Sequence, residues 1–287
     1  MSLVQRLTPR ATFTIDSNTT YQKTPNFALI NAPTNAGNNG SYLNGSTTAT
    51  LNYAWTKRVA TVATYVLITN LLETNGQSNL YDNSYGVQFR YTASARNTIT
   101  ADAREEVAIY PSNTGANGNT TYLLMGLDST ISTRLRNTFS TGIESQSYSS
   151  GGGGGTPDAP YFESATTLSL PRGAGLSWTN RYGYQEAGGV GQTTTSYRTG
   201  LSYSQPLSTK LVASVSLAYN HLKNTDTLDP TAAYTETQLQ ASLNLGYTVT
   251  PRLSLSLSYT YNDLLTTQLN GSYQRDQVYL GGTYTFR

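Results

Sequence analysis

His221 is the only histidine in the chain, and any serine-hydrolase chemistry would have to run through it. Such a site needs a serine and an acid or amide in mutual reach of the imidazole. Asn220 and Ser216 are the nearest candidates, but in an extended segment parity sets them opposite His221 or two rows away. Cysteine is absent, which removes a thiol nucleophile, a disulfide framework and a zinc-finger site. The acidic run Asn224-Thr225-Asp226-Thr227-Leu228-Asp229 lacks the ligand spacing of an EF-hand loop. Gly151 to Gly155 is followed by no Lys-Ser/Thr pair, so it is not a phosphate loop and reads as a surface loop. No Asp/Glu pair stands out as a glycosidase pair. The chain is read as a non-enzyme, with no cofactor and no metal.

The charged residues make a different pattern. Alternation puts Asp16, Asp102, Glu106, Glu144, Glu163 and Glu236 on the polar face of their segments, with Arg90, Arg104, Arg136, Arg181, Arg198 and Arg275. Rings of charge facing a pore set ion selectivity. Arg90, Asp102, Arg104, Glu106, Arg136, Glu144, Glu163, Arg181, Arg198 and Glu236 are the candidate lumen residues. With six of each sign, weak selectivity is expected unless the signs segregate. The same residues could equally pair and brace a wall. Glu105 breaks the pattern, because alternation aims it away from Glu106. A β-bulge turning both inward is the expected remedy. Thr141, Ser164, Thr166 and Asn180 are polar on the nominally apolar face, which marks a candidate protomer or partner contact.

Side chains can face each other this way only on long strands. Leu253-Ser254-Leu255-Ser256-Leu257-Ser258-Tyr259 alternates with period two, as do Leu239 to Val249 and Ala213 to Tyr219. Fourteen strands are predicted, over 10–20, 44–56, 59–71, 80–93, 98–110, 119–130, 133–148, 160–171, 175–187, 193–205, 210–222, 233–249, 253–265 and 272–286. Twelve or sixteen remain compatible, because the parity of 59–71 and 119–130 is ambiguous. Tight turns such as Thr56-Lys57-Arg58 and Val249 to Arg252 alternate with long Gly/Asn/Thr-rich loops such as Gln22 to Leu43. Short turns at one end and long loops at the other describe an up-and-down antiparallel transmembrane β-barrel. A single all-β domain over 1–287 is expected, with 1–9 as a short N-terminal periplasmic segment.

Composition agrees. Charged residues are 12% of 287, about half the usual share of a soluble domain. Thr (46) and Tyr (23) fill the gap. No apolar run approaches the ~18 residues of a membrane helix. Eighteen basic against sixteen acidic residues, read as evenly scattered along the chain, argue against a nucleic-acid binder. Met1 to Arg6 holds no apolar signal-peptide core, so this numbering is expected to be that of a mature or recombinant form.

The C-terminal segment Gln277-Val278-Tyr279-Leu280-Gly281-Gly282-Thr283-Tyr284-Thr285-Phe286-Arg287 resembles the assembly signal of bacterial outer-membrane barrels. Gly281, Tyr284 and Phe286 fit that signal, while Arg287 departs from it. The opening Leu7-Thr8-Pro9-Arg10-Ala11-Thr12-Phe13, the following Asp16-Ser17-Asn18 and the closing Thr250-Pro251-Arg252-Leu253 hairpin extend the likeness. The whole chain resembles the outer-membrane β-barrel porins of Gram-negative bacteria, in particular the β-barrel porin 2 family. The resemblance implies an outer-membrane location, handling by the barrel-assembly machinery, contact with outer-membrane lipid, and no catalytic residues. Two functions follow as expectations. One is passive diffusion of ions and small hydrophilic solutes through a polar lumen. The other is a conduit in a larger export or electron-transfer assembly, with a partner or polymer inside.

Overall fold

The computed structural model describes residues 2–22, 42–72, 79–111, 117–148, 158–185, 192–226, 233–267 and 271–285. Fifteen antiparallel strands form one sheet in strict chain order, from β1 (Ser2–Thr8) to β15 (Tyr273–Tyr284). Between them lie β2 (Ala11–Gln22), β3 (Tyr42–Ala54), β4 (Val59–Leu72), β5 (Leu80–Thr92), β6 (Asn97–Ile109) and β7 (Gly118–Thr130). The order continues through β8 (Leu135–Tyr148), β9 (Ala159–Ser169), β10 (Gly175–Gln185), β11 (Gln192–Pro206), β12 (Leu211–Asp226), β13 (Tyr234–Thr250) and β14 (Leu253–Thr266). Strands 11 to 17 residues long, apart from β1, exceed the five or six typical of soluble sheets.

The count is fifteen rather than fourteen because Ser2–Thr8 forms β1. Its residues do not alternate, and all seven are exposed. Pairing with β2, not amphipathicity, makes it a strand. Within the described residues β1 and β15 each have one ladder partner, and both run toward the tight turns.

The tight turns are built alike. Thr8, Thr56, Ser94, Ser132, Ser208 and Thr250 each accept hydrogen bonds from the backbone N–H groups two and three residues on. These bonds span 3.0–3.3 Å. A Ser or Thr hydroxyl here replaces the missing backbone acceptor of the turn. The seventh turn, between β9 and β10, is a short 3-10 segment at Pro171–Gly173. There Arg172 takes φ 61 and Gly173 takes φ 76.

Register settles the two faces. Followed through all fourteen ladders, Asp16, Arg90, Asp102, Arg104, Glu106, Arg136, Glu144, Glu163, Arg181, Arg198, Glu236 and Arg275 lie on one face. Side chains on that face meet across strands three apart, so it is concave. The other face carries exposed apolar residues such as Val87, Leu123, Val215, Leu243 and Leu257.

Outward aromatics fall into two bands. Trp55, Tyr91, Trp178, Tyr247 and Tyr284 stand within three residues of a tight turn or strand end there. Tyr65, Tyr85, Tyr219 and Tyr259 stand six to eight residues in from that end of their strands. At roughly 2.6 Å of height per residue on a tilted strand, the upper band lies about 15–20 Å above the tight-turn ends of the strands. That is a little under the ~25 Å apolar belt of an outer-membrane barrel.

Glu105 is not part of a bulge. Tyr85↔Glu105↔Thr121 and Gly86↔Arg104↔Tyr122 follow one another in unbroken register. Glu105 therefore faces outward, eight residues above the start of β6 and level with the upper tyrosines. Asn119 Nδ2 donates to its Oε1 at 2.5 Å, and the Tyr85 hydroxyl bonds it as well. A carboxylate at the aromatic level, with two donors beside it, avoids the burial in lipid that a bulge would have been needed to prevent.

Candidate functional site

The concave wall of β5 to β11 gathers most of the inward charge. Arg104 (β6) and Arg181 (β10) approach from opposite sides of Tyr122 (β7) and Tyr161 (β9). The two rings meet edge to face at 5.1 Å between centroids. The Arg104 guanidinium lies 4.6 Å from the Tyr122 centroid, and that of Arg181 lies 5.4 Å from the Tyr161 centroid. Arg104 Nη2 donates to Tyr161 Oη at 3.3 Å, and Arg181 Nη2 donates to Tyr122 Oη at 3.4 Å. Each tyrosine hydroxyl donates in turn to a carboxylate. Tyr161 donates to Glu163 Oε2 at 2.6 Å, and Tyr122 donates to Glu106 Oε2 at 3.1 Å. Arg104 also stands 3.9 Å from Glu163.

Around this pair the face is crowded. Tyr122, Tyr161, Glu144 and Gln146 are at most 2% exposed. The Tyr184 backbone N–H donates to Glu144 Oε1. Gly183 makes room for both groups, because a Cβ there would stand 2.6 Å from Tyr161 Cδ2 and 2.7 Å from Glu144 Oε1. Arg198 sits opposite Arg181 in the ladder. Asp102 and Asp82 complete the wall on β6 and β5. Five carboxylates and three guanidiniums thus share one wall, a formal excess of two negative charges.

The sequence-predicted lumen residues divide by place. Asp102, Arg104, Glu106, Glu144, Glu163, Arg181 and Arg198 come together on this wall. Arg90 forms a separate pair nearer the tight turns, 2.5 Å from Asp128. Arg136 and Glu236 stand apart, Arg136 near the tight-turn end of β8 and Glu236 near the loop end of β13. The inner faces of β12 and β14 present Ser214, Ser216, Asn220, Ser256, Ser258 and Asn262 instead. Charge is therefore segregated to one wall, although the two signs are interleaved within it.

Tyr122, Tyr161, Asp82 and Asp128 escaped the sequence reading. Tyr161 is two residues from Glu163, and counting back by parity from that inward carboxylate finds it. Tyr122 lies in β7, where Leu123, Leu124 and Met125 are apolar on both faces and blur the alternation.

His221 faces outward, its Nδ1 2.9 Å from Thr237 Oγ1, while Asn220 is buried on the inner face and Ser216 shares that face. These three do not assemble. The polar outward stripe bonds within itself. Asn180 Nδ2 donates to Ser164 Oγ at 3.2 Å, Asn137 Nδ2 to Thr166 Oγ1 at 3.0 Å, and the Thr141 hydroxyl to the Tyr161 carbonyl at 3.0 Å. Gly281 and Tyr284 lie at the tight-turn end of β15; Phe286 is outside the described residues, as are the glycine run, most of the Gln22 to Leu43 loop and Thr227 to Asp229.

No family model and no curated protein matches the chain in sequence. Solved structures match in shape. The FrpB iron transporter of Neisseria meningitidis superposes with a TM-score of 0.55 at 6% identity, over 91% of this chain and 50% of that one. A second FrpB variant gives 0.50 at 8%, over 89% and 49%. OmpT, an outer membrane protein of Vibrio cholerae, gives 0.47 at 10%, over 99% of both chains. The fold is that of an outer-membrane β-barrel. The barrel wall described here spans about half the length of the iron transporters it matches. At these identities the likeness extends to the fold alone.

Proposed function

We propose that the chain forms a porin-like channel of the bacterial outer membrane, of the β-barrel porin 2 type, passing ions and small hydrophilic solutes without catalysis. The observation that carries this reading is the concave polar face. Fifteen strands present Ser, Thr, Asn, Gln and twelve predicted charged side chains inward, while apolar and aromatic side chains face outward. An interior of that kind holds water, and a belt of that kind holds lipid.

The charged wall supplies the filter. Tyr122 and Tyr161 form the buried base of this wall, fixed by Arg104 and Arg181, and support the part-exposed Arg104 and Glu163 side chains that face the passage. They narrow it in the half nearer the long loops. The formal excess of two carboxylates favours cations mildly, and the interleaved guanidiniums hold that preference down.

Single-channel recording in a planar bilayer tests this reading. Stable ohmic steps, with reversal potentials in a salt gradient showing a low cation preference, are the expected result. Silence from a barrel shown to be folded by heat-modifiable gel migration would overturn it and favour a conduit whose lumen a partner or polymer fills.

A further inference from the structure

The tight-turn end of the barrel is a ring of cations. The six hydroxyl-capped turns pair Thr8 with Arg10, Thr56 with Arg58, Ser94 with Arg96, Ser132 with Arg134, Ser208 with Lys210, and Thr250 with Arg252. In each, the hydroxyl accepts the basic residue's own backbone N–H, so one geometry sets the cation at one place six times. Lys57 and Arg172 add two more. Eight of the chain's 18 Lys and Arg therefore lie in the seven turns, and none of its 16 Asp and Glu does. All eight are exposed. Among the described residues none of their side chains enters an ion pair; the two pairs present, Arg90–Asp128 and Arg104–Glu163, are on the inner wall.

Position gives this ring its meaning. Successive turns are two strands apart, about 10 Å at the usual strand spacing. That is close to the ~8 Å screening length at physiological salt, so neighbouring fields overlap. The lower aromatic band, with both tryptophans, lies directly above the ring. Trp and Tyr mark the level where acyl chains give way to headgroups. The cations therefore sit at headgroup level.

We infer that this ring binds the anionic phospholipid headgroups of the leaflet at the tight-turn, periplasmic, end of the barrel. The inference rests on the membrane reading of the fold and is independent of conduction. Arg and Lys at that level attract phosphate directly, and Arg adds bidentate bonds. With no acid in any turn, no neighbouring carboxylate competes for the guanidiniums.

Trp55 lies in the turn beside Lys57 and Arg58, which allows a local test. The refolded barrel carrying Trp178→Phe is reconstituted in mixtures of dibrominated and ordinary lipid, and quenching of Trp55 fluorescence reports which lipid is adjacent. Dibrominated phosphatidylglycerol is expected to bind at least about fivefold better than dibrominated phosphatidylcholine at 20 mM salt, the effect of one or two cations at an anionic surface. The preference should fall below about twofold at 0.5 M salt. Arg10→Gln, Lys57→Gln, Arg58→Gln and Arg96→Gln together should abolish it at low salt, and since each glutamine keeps the backbone N–H that the turn uses, folding should persist. The salt titration of the unsubstituted ring needs no variant at all. Equal quenching by the two lipids at 20 mM salt overturns the inference and leaves the ring to a soluble acidic partner. Quenching by neither would instead overturn the membrane reading.

Discussion

Removing one hydroxyl from the charged wall has a calculable cost. Tyr161→Phe deletes the oxygen that donates to Glu163 at 2.6 Å and accepts from Arg104 at 3.3 Å, and leaves the ring itself in place. A hydrogen bond to a charged partner contributes about 1.5–3 kcal/mol when fully buried. Tyr161 is 1% exposed, but the Glu163 side chain is 38% exposed, so water compensates part of the loss. About 1–1.5 kcal/mol is therefore expected for Tyr161→Phe. Glu163→Gln should cost a similar amount, because it weakens the same bond and removes the charge that faces Arg104. If the two side chains act through one bond, the double variant should lose only about 1–2 kcal/mol in total, short of the sum of the singles by roughly 1 kcal/mol. Urea unfolding from lipid vesicles, followed by tryptophan fluorescence and extrapolated linearly, measures all four corners of the cycle. Strict additivity, or a Tyr161→Phe cost under about 0.3 kcal/mol, would refute the wall as an interlocked unit.

Three further outcomes are expected. Gly183→Ala places a methyl against Tyr161 and Glu144 and should cost about 1–3 kcal/mol in urea unfolding, as overpacking does. Tyr122→Ala with Tyr161→Ala should raise single-channel conductance several-fold in planar bilayers, whereas the same change at outward Tyr65 should leave it unchanged. Glu105→Gln should change the unfolding free energy in urea by under about 1 kcal/mol, because its carboxylate sits at the aromatic level; a mid-belt carboxylate would answer with a large stabilisation on neutralisation.

Much of the wall was legible because strand parity is a strong constraint. Where polar and apolar residues alternate without interruption, as along 238–249 of β13 and 253–262 of β14, the inward set follows from counting. All twelve predicted inward charges share one face for that reason. Legibility failed where both faces are apolar. In β4, Val62, Val66 and Ile68 face inward against outward Tyr65 and Leu67, so period two fades. β1 was missed because its strand character comes from pairing alone. Glu105 was misassigned because height on the barrel, which cancels the penalty a bulge would relieve, is invisible without neighbours. The meeting of Arg104 with Tyr161, and of Arg181 with Tyr122, joins residues 57 and 59 apart and depends on sheet curvature, which no local pattern encodes.

The strict chain order of the sheet bears on how the barrel is put together. Every ladder joins strands that are consecutive in the chain, so each hairpin can add to the last at the small entropic cost of a local loop. The charged wall is the exception. Its contacts need β6, β7, β9 and β10 in place and curved before Arg104 and Arg181 can reach the tyrosines. Assembly should thus run as a zipper that is checked late, by a polar latch that closes only on a correctly curved intermediate. Variants of the latch should speed unfolding while leaving the rate of hairpin addition almost untouched.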